Sequence, residues 1–184
     1  RALAALDAAG ARLSAVNGGN KHNAIPRECE AVLLIPRQKL EEAGKAIHDI
    51  HATVKAELAT VEPDLSISLS VLNTKKKIKV VRRAEQKRIL QTISALPHGV
   101  MKMSAEIPGL VETSTNVAVI TTLRDTVKFV TSQRSSVASE IVEIARTVYS
   151  IFDLGGAQVE TSDGYPGWKP NMDSPILSLA KSSY

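Results

Sequence analysis

The sequence predicts an α+β fold, with antiparallel sheet and helices packed on one face. Two observations carry that expectation. Strand-like and helix-like stretches alternate in an order that repeats once, strand–strand–helix–strand, and each strand pair is separated by a turn too short for a parallel crossover. The composition, 43% hydrophobic and 23% charged over 184 residues, is that of a globular chain able to bury a core and excludes a long disordered tail.

From the N-terminus, Arg1–Leu6 reads as the tail of an apolar helix. Arg12–Val16 and Ala24–Ile35 read as two strands of a hairpin around Asn17-Gly18-Gly19-Asn20, because Gly and Asn tolerate positive φ. Pro26 fits only near a strand start or on an edge, and Pro36 stops the strand. A helix is expected over Gln38–Ala59, where Leu40, Ala43, Ile47, Ile50, Val54 and Leu58 recur at three- and four-residue spacing. Leu65–Val71 alternates leucine, isoleucine and valine with serine, the pattern of a half-buried strand. A second helix, Arg82–Leu96, breaks at Pro97-His98-Gly99, and an irregular stretch runs to Gly109. Strands are then expected over Glu112–Thr122 and Thr126–Gln133, joined at Arg124-Asp125. A third helix, Ser135–Phe152, turns Val137, Ile141, Ile144, Val148 and Ile151 inward and closes on Gly155-Gly156. Ala157–Thr161 reads as a last strand. After Gly164-Tyr165-Pro166-Gly167-Trp168, which reads as a structural corner, a fourth helix starts with Ser174 as N-cap and Pro175 at the first helical position. The first helix and the last pattern both read as cut short, so a piece of a larger protein is expected.

No apolar run approaches the roughly 20 residues that cross a bilayer, so no membrane partner is expected. The sole cysteine, Cys29, suits a reducing, cytoplasmic setting. The net charge of +4 is unevenly spread: Lys75–Arg88 holds eight Lys or Arg against Glu85, which is +7, so the rest carries −3. That segment has almost no aromatics nearby for base stacking, and a solvated loop and helix start is the expectation over a nucleic-acid surface. One alternative keeps it in play: a non-catalytic binding or dimerisation module using residues 75–88.

No complete catalytic set is present. The sequence contains no H-E-x-x-H, G-x-S-x-G, Walker loop or dinucleotide fingerprint. His48 and His51 are spaced i, i+3 on a helix but have no obvious third metal ligand, and Cys29 sits in a strand without a base. The polar residues of interest stand at strand ends. Asn23 precedes Ala24-Ile25-Pro26, Asn116 precedes Val117-Ala118 in the matching place of the second unit, and Arg134 ends an apolar strand. A guanidinium there can hold a carboxylate through two parallel hydrogen bonds. A cation at a helix start would oppose the macrodipole, which favours a functional reason for Arg134.

These motifs carry a resemblance. Asn17-Gly18-Gly19 leading to Asn23-Ala24-Ile25-Pro26-Arg27-Glu28, then Val111-Glu112-Thr113-Ser114-Thr115-Asn116-Val117, then Gly164-Tyr165-Pro166-Gly167-Trp168 with Asp173-Ser174-Pro175, resemble the bacterial aminoacyl-histidine dipeptidases in order and spacing over nearly the whole chain. The resemblance implies a cytosolic enzyme whose dizinc catalytic domain carries an inserted α+β lid. Residues 1–172 would be most of that lid, and 173–184 the start of the returning catalytic domain. Zinc would be bound by the catalytic domain of the same chain, outside this segment. The family's lid histidine, in a Gly-His-Ser-Gly motif, would also lie before it. Asn23 would hold the dipeptide near its scissile carbonyl, Arg134 its terminal carboxylate, and Asn116 would take the corresponding place in the second unit. The resemblance further implies a homodimer and an isolated segment without activity.

Overall fold

The computed structural model describes residues 1–75, 77–165, 167–168 and 171–183. The expected α+β architecture is present: five strands form an antiparallel sheet, with helices α1 (Ala2–Ala8), α2 (Leu40–Glu57), α3 (Arg83–Ala95), α4 (Ala138–Leu154) and α5 (Pro175–Ser182). The strands are β1 (Arg12–Gly18), β2 (Cys29–Leu34), β3 (Gly99–Met103), β4 (Val111–Thr122) and β5 (Val127–Ser135). None of the helices is long and apolar enough to cross a membrane, among the described residues.

The twelve-residue β4 organises the sheet. One edge pairs along its length with β5, from Thr113↔Ser135 to Thr122↔Val127. The other edge is shared: β3 takes the first part, Gly99↔Thr115 to Met103↔Val111, and β1 the last, Asn17↔Thr121 and Gly18↔Ile120. β2 completes the sheet on the far side of β1.

Each half has its own small core. Around α2, Leu6, Ala11, Ala43 and Ile47 are buried, with Leu33, Ile35, Ile67 and Leu69 packed on them. Around α4, Leu96, Val148 and Phe152 are buried against Val117, Phe129, Ile151 and Val159. Phe129 and Phe152 meet edge to face, ring centres 5.4 Å apart, a favoured aromatic geometry. Beside the first core, Gln86 is 2% exposed and makes three hydrogen bonds. Its Nε2 donates to Asp7 Oδ1 at 2.6 Å and to the Ala11 carbonyl at 2.9 Å, while its Oε1 accepts the Leu13 N–H at 2.8 Å.

Four expectations need correction. Residues 65–71 are extended and bury alternate side chains, Leu65, Ile67 and Leu69, but join no ladder; hydrophobic alternation sets which side faces inward and not whether a backbone partner is in reach. The same holds for 157–161, whose Val159 packs on the second core without strand pairing. Gly99–Met103, expected to be irregular, is a strand: four of its five residues are exposed or nearly so, and edge strands need no alternation. β2 begins only at Cys29, so Gly19–Glu28 is a loop and Asn23 lies in a turn within it. The helix bounds agree to within three residues, with Gly156 at φ +73 closing α4 and Ser174 and Pro175 opening α5 as expected. Lys76, Pro166 and Tyr184, each part of an expected feature, lie outside the described residues.

Candidate functional site

A polar face on the sheet collects the residues of interest. The register pairs Ser114 with Arg134 and Asn116 with Ser132, so all four side chains share one face. Thr113, Thr115 and Val117 point to the other side, where Thr113 and Thr115 are buried and Val117 meets the α4 core. Asn116 and Arg134 are therefore diagonal neighbours on adjacent strands, a relation that places them about 7–8 Å apart.

Arg134 sits within β5, four residues before α4 begins at Ala138. The helix-dipole argument for it therefore falls away, because the macrodipole acts only within the first turn. Its side chain is exposed and makes no ion pair or hydrogen bond among the described residues. The adjoining Ser135 is firmly held. Its hydroxyl lies 2.9 Å from Thr113 Oγ1 and accepts the Val137 N–H at 3.0 Å. The backbone of Gly167 passes so close that an added Cβ would stand 2.1 Å from the Ser135 carbonyl oxygen. Gly167 thus lies beside the end of β5, against the residue that follows Arg134.

Asn116 reaches across the polar face to the loop between β1 and β2, its Nδ2 donating to the Ala24 carbonyl at 2.8 Å. That bond fixes the residue following Asn23, whose own side chain is exposed. Asn116 Oδ1 is buried and unpartnered among the described residues. The loop is pressed onto the same strand at its start: Gly19 adopts φ +68, and an added Cβ would lie 1.9 Å from the Ala118 carbonyl oxygen. Only glycine allows that approach. Asn23 and Asn116 are thus brought together through Ala24, and Arg134 lies diagonally from Asn116.

Sequence reasoning missed His98. Its Nδ1 accepts the Val117 N–H at 3.1 Å, between the end of β3 and the start of the β1 contact. The sequence signal there, Pro97-His98-Gly99, reads as a helix break and gives no hint of a strand edge 19 residues downstream.

Elsewhere the chemistry is thin. Among the described residues no three His, Cys, Asp or Glu side chains gather as a metal site. His48 and His51 line a groove of about 340 Å³ with Leu40, Ile47, Ile67 and Leu69, where a third ligand is lacking. Desolvation pushes the Cys29 thiol above its ordinary pKa, the opposite of what activates a nucleophile. Lys102 is raised by its hydrogen bonds to Glu140 and Glu112, with Nζ 2.7 Å from Glu140 and 3.0 Å from Glu112.

The arrangement is an antiparallel sheet with helices packed against it and a polar face bearing Ser114, Asn116, Ser132 and Arg134. Comparison with known proteins makes the class specific. Residues 1–62 match the family model of the peptidase dimerisation domain, M20_dimer. The chain is 34% identical over 173 residues to the cytosol non-specific dipeptidase of Escherichia coli (strain K12), an alignment covering 94% of this chain and 35% of that protein. Its fold superposes on the crystal structure of aminoacylhistidine dipeptidase from Vibrio alginolyticus with a TM-score of 0.89 and 34% identity, covering 96% of this chain and 36% of that one. The chain spans about a third of the length of these relatives and is similar to that segment of them.

Proposed function

We propose that this chain is the lid and dimerisation domain of a cytosolic zinc dipeptidase acting on dipeptides such as Xaa-His. The observation that supports it most is the register that sets Arg134 diagonally from Asn116 on the polar face, with the Asn23 turn fastened to the same strand. An exposed arginine that forms no ion pair among the described residues is a ready partner for a terminal carboxylate, which it binds through two parallel hydrogen bonds. Anchoring that end restricts the substrate to short peptides. The Asn23 amide, at the tip of the loop, donates toward the scissile carbonyl when the lid lies over the catalytic domain. Asn116 acts on the substrate through the loop it holds. The residues described here do not fit a zinc site, so any zinc belongs to the rest of the protein, and the chain's own part is to bind, orient and exclude water.

In the whole enzyme, Arg134→Ala should cost on the order of 2–5 kcal/mol of substrate binding, read as a large rise in KM for dipeptides. Unchanged kinetics would defeat the carboxylate role. Self-association into a homodimer is the second part of the reading, supported by the match of residues 1–62 to a dimerisation domain and by the free edge of β2 within it. Analytical ultracentrifugation at micromolar concentration should give the dimer mass; a monomer counts against it.

A further inference from the structure

Residues 116–118 of β4 each hold a different piece of the molecule. The Asn116 side chain holds the loop at Ala24, the Val117 N–H is held by His98, and the Ala118 carbonyl abuts Gly19. They lie in the interval that strand pairing leaves open, since β3 pairs no further than Thr115 and β1 begins at Ile120. The ladder to β5 is also irregular here, with a shift between Val117 and Val119. A bulge re-aims neighbouring side chains, and without a partner on its other edge its rotation is weakly fixed. His98 supplies that partner. Accepting at Nδ1 requires the neutral ring with its proton on Nε2, so the bond selects one tautomer.

We propose that His98 is a positioning residue for the substrate site: by capping the Val117 N–H it fixes the bulge, and thereby the direction in which Asn116 holds the Asn23 loop. This rests on the dipeptidase reading, which it deepens. Because the effect passes through the loop near the scissile carbonyl and not through the carboxylate anchor, it falls on turnover more than on affinity.

The test uses the whole enzyme. His98→Ala should lower kcat roughly tenfold, since small displacements of a positioning group are costly, while KM stays within about twofold. His98→Asn, which offers a side-chain oxygen as acceptor in place of Nδ1, should restore most of the loss. Arg134→Ala should show the reverse pattern, a KM effect. If the wild-type enzyme cleaves no dipeptide, the dipeptidase reading fails. If it cleaves them and Arg134→Ala impairs it, while His98→Ala is fully active or His98→Asn is as impaired as His98→Ala, the positioning role alone is overturned. A measurement on the unaltered protein guards against a variant that does not fold: nitrogen NMR of the imidazole should show His98 at neutral pH with the proton on Nε2, and a proton on Nδ1 would overturn the proposal.

Discussion

The two halves of the molecule follow one plan and close it differently. Each has an antiparallel strand pair, a long helix across it and an extended segment laid against the helix without joining the sheet. The first half packs α2 through aliphatic side chains, Leu6, Ala11, Ala43 and Ile47, with Leu33, Ile35, Ile67 and Leu69 around them. The second half packs α4 around Phe152 and Val148, with Phe129 against the ring. The first half adds a buried polar junction at Gln86, which ties α1, β1 and α3 together. The polar face of Ser114, Asn116, Ser132 and Arg134 lies on the second half, while the match to the dimerisation domain covers only the first. Repeating an architecture does not repeat the division of labour within it.

The comparison can be broken most forcefully at Phe152. Phe152→Ala should cost about 3–5 kcal/mol, as a buried ring is lost and a cavity remains, measured by urea unfolding. A loss under about 1 kcal/mol would mean that the second core does not hang on one ring. Next, Gln86→Ala should cost about 2–4 kcal/mol, because it strands the Leu13 N–H and the Ala11 carbonyl in a buried setting. If Gln86→Leu, of similar volume, is as stable as the wild type, the hydrogen-bond account of the first half is wrong. The smallest effect concerns Lys102, which bridges β3 to Glu112 and Glu140 at the surface. Its pKa is raised in the folded state, so its stabilisation is fully present below its unfolded pKa and fades as pH rises through the folded one. Lys102→Met should therefore lower the urea midpoint slightly at pH 7, and the gap should narrow only in strongly alkaline buffer. A gap that closes near neutral pH would contradict the pairing.

Much of this was legible in the sequence, and the losses have physical causes. Helices α2 and α4 announce themselves through three- and four-residue spacing, which depends on nothing beyond the helix itself. Residues 65–71 show what alternation leaves open: the side facing inward was clear from Ile67 and Leu69, but ladder bonds require another strand, and among the described residues none pairs with it. β3 escaped notice because Val100, Met101 and Met103 are exposed and its pairing with β4 is long-range. In the candidate site, Asn23, Asn116 and Arg134 stood out as polar residues at strand ends. What no linear reading conveys is the register that makes Asn116 and Arg134 neighbours, or the bond to Ala24, which turns Asn116 from a second copy of Asn23 into the residue that holds the Asn23 loop.

The seam between the halves has one more consequence. Among the described residues β1 pairs with β4 at two backbone positions, and side chains add to the junction: Thr122 Oγ1 accepts the Val16 N–H and donates to the Val16 carbonyl, and Asn17 Oδ1 accepts the Thr122 N–H. Backbone ladders are indifferent to residue identity, whereas these bonds exist only while Thr122 and Asn17 are present. The register between the two halves is thus written in two particular residues, and the sheet's continuity is more exposed to substitution there than anywhere along the long β4–β5 pairing.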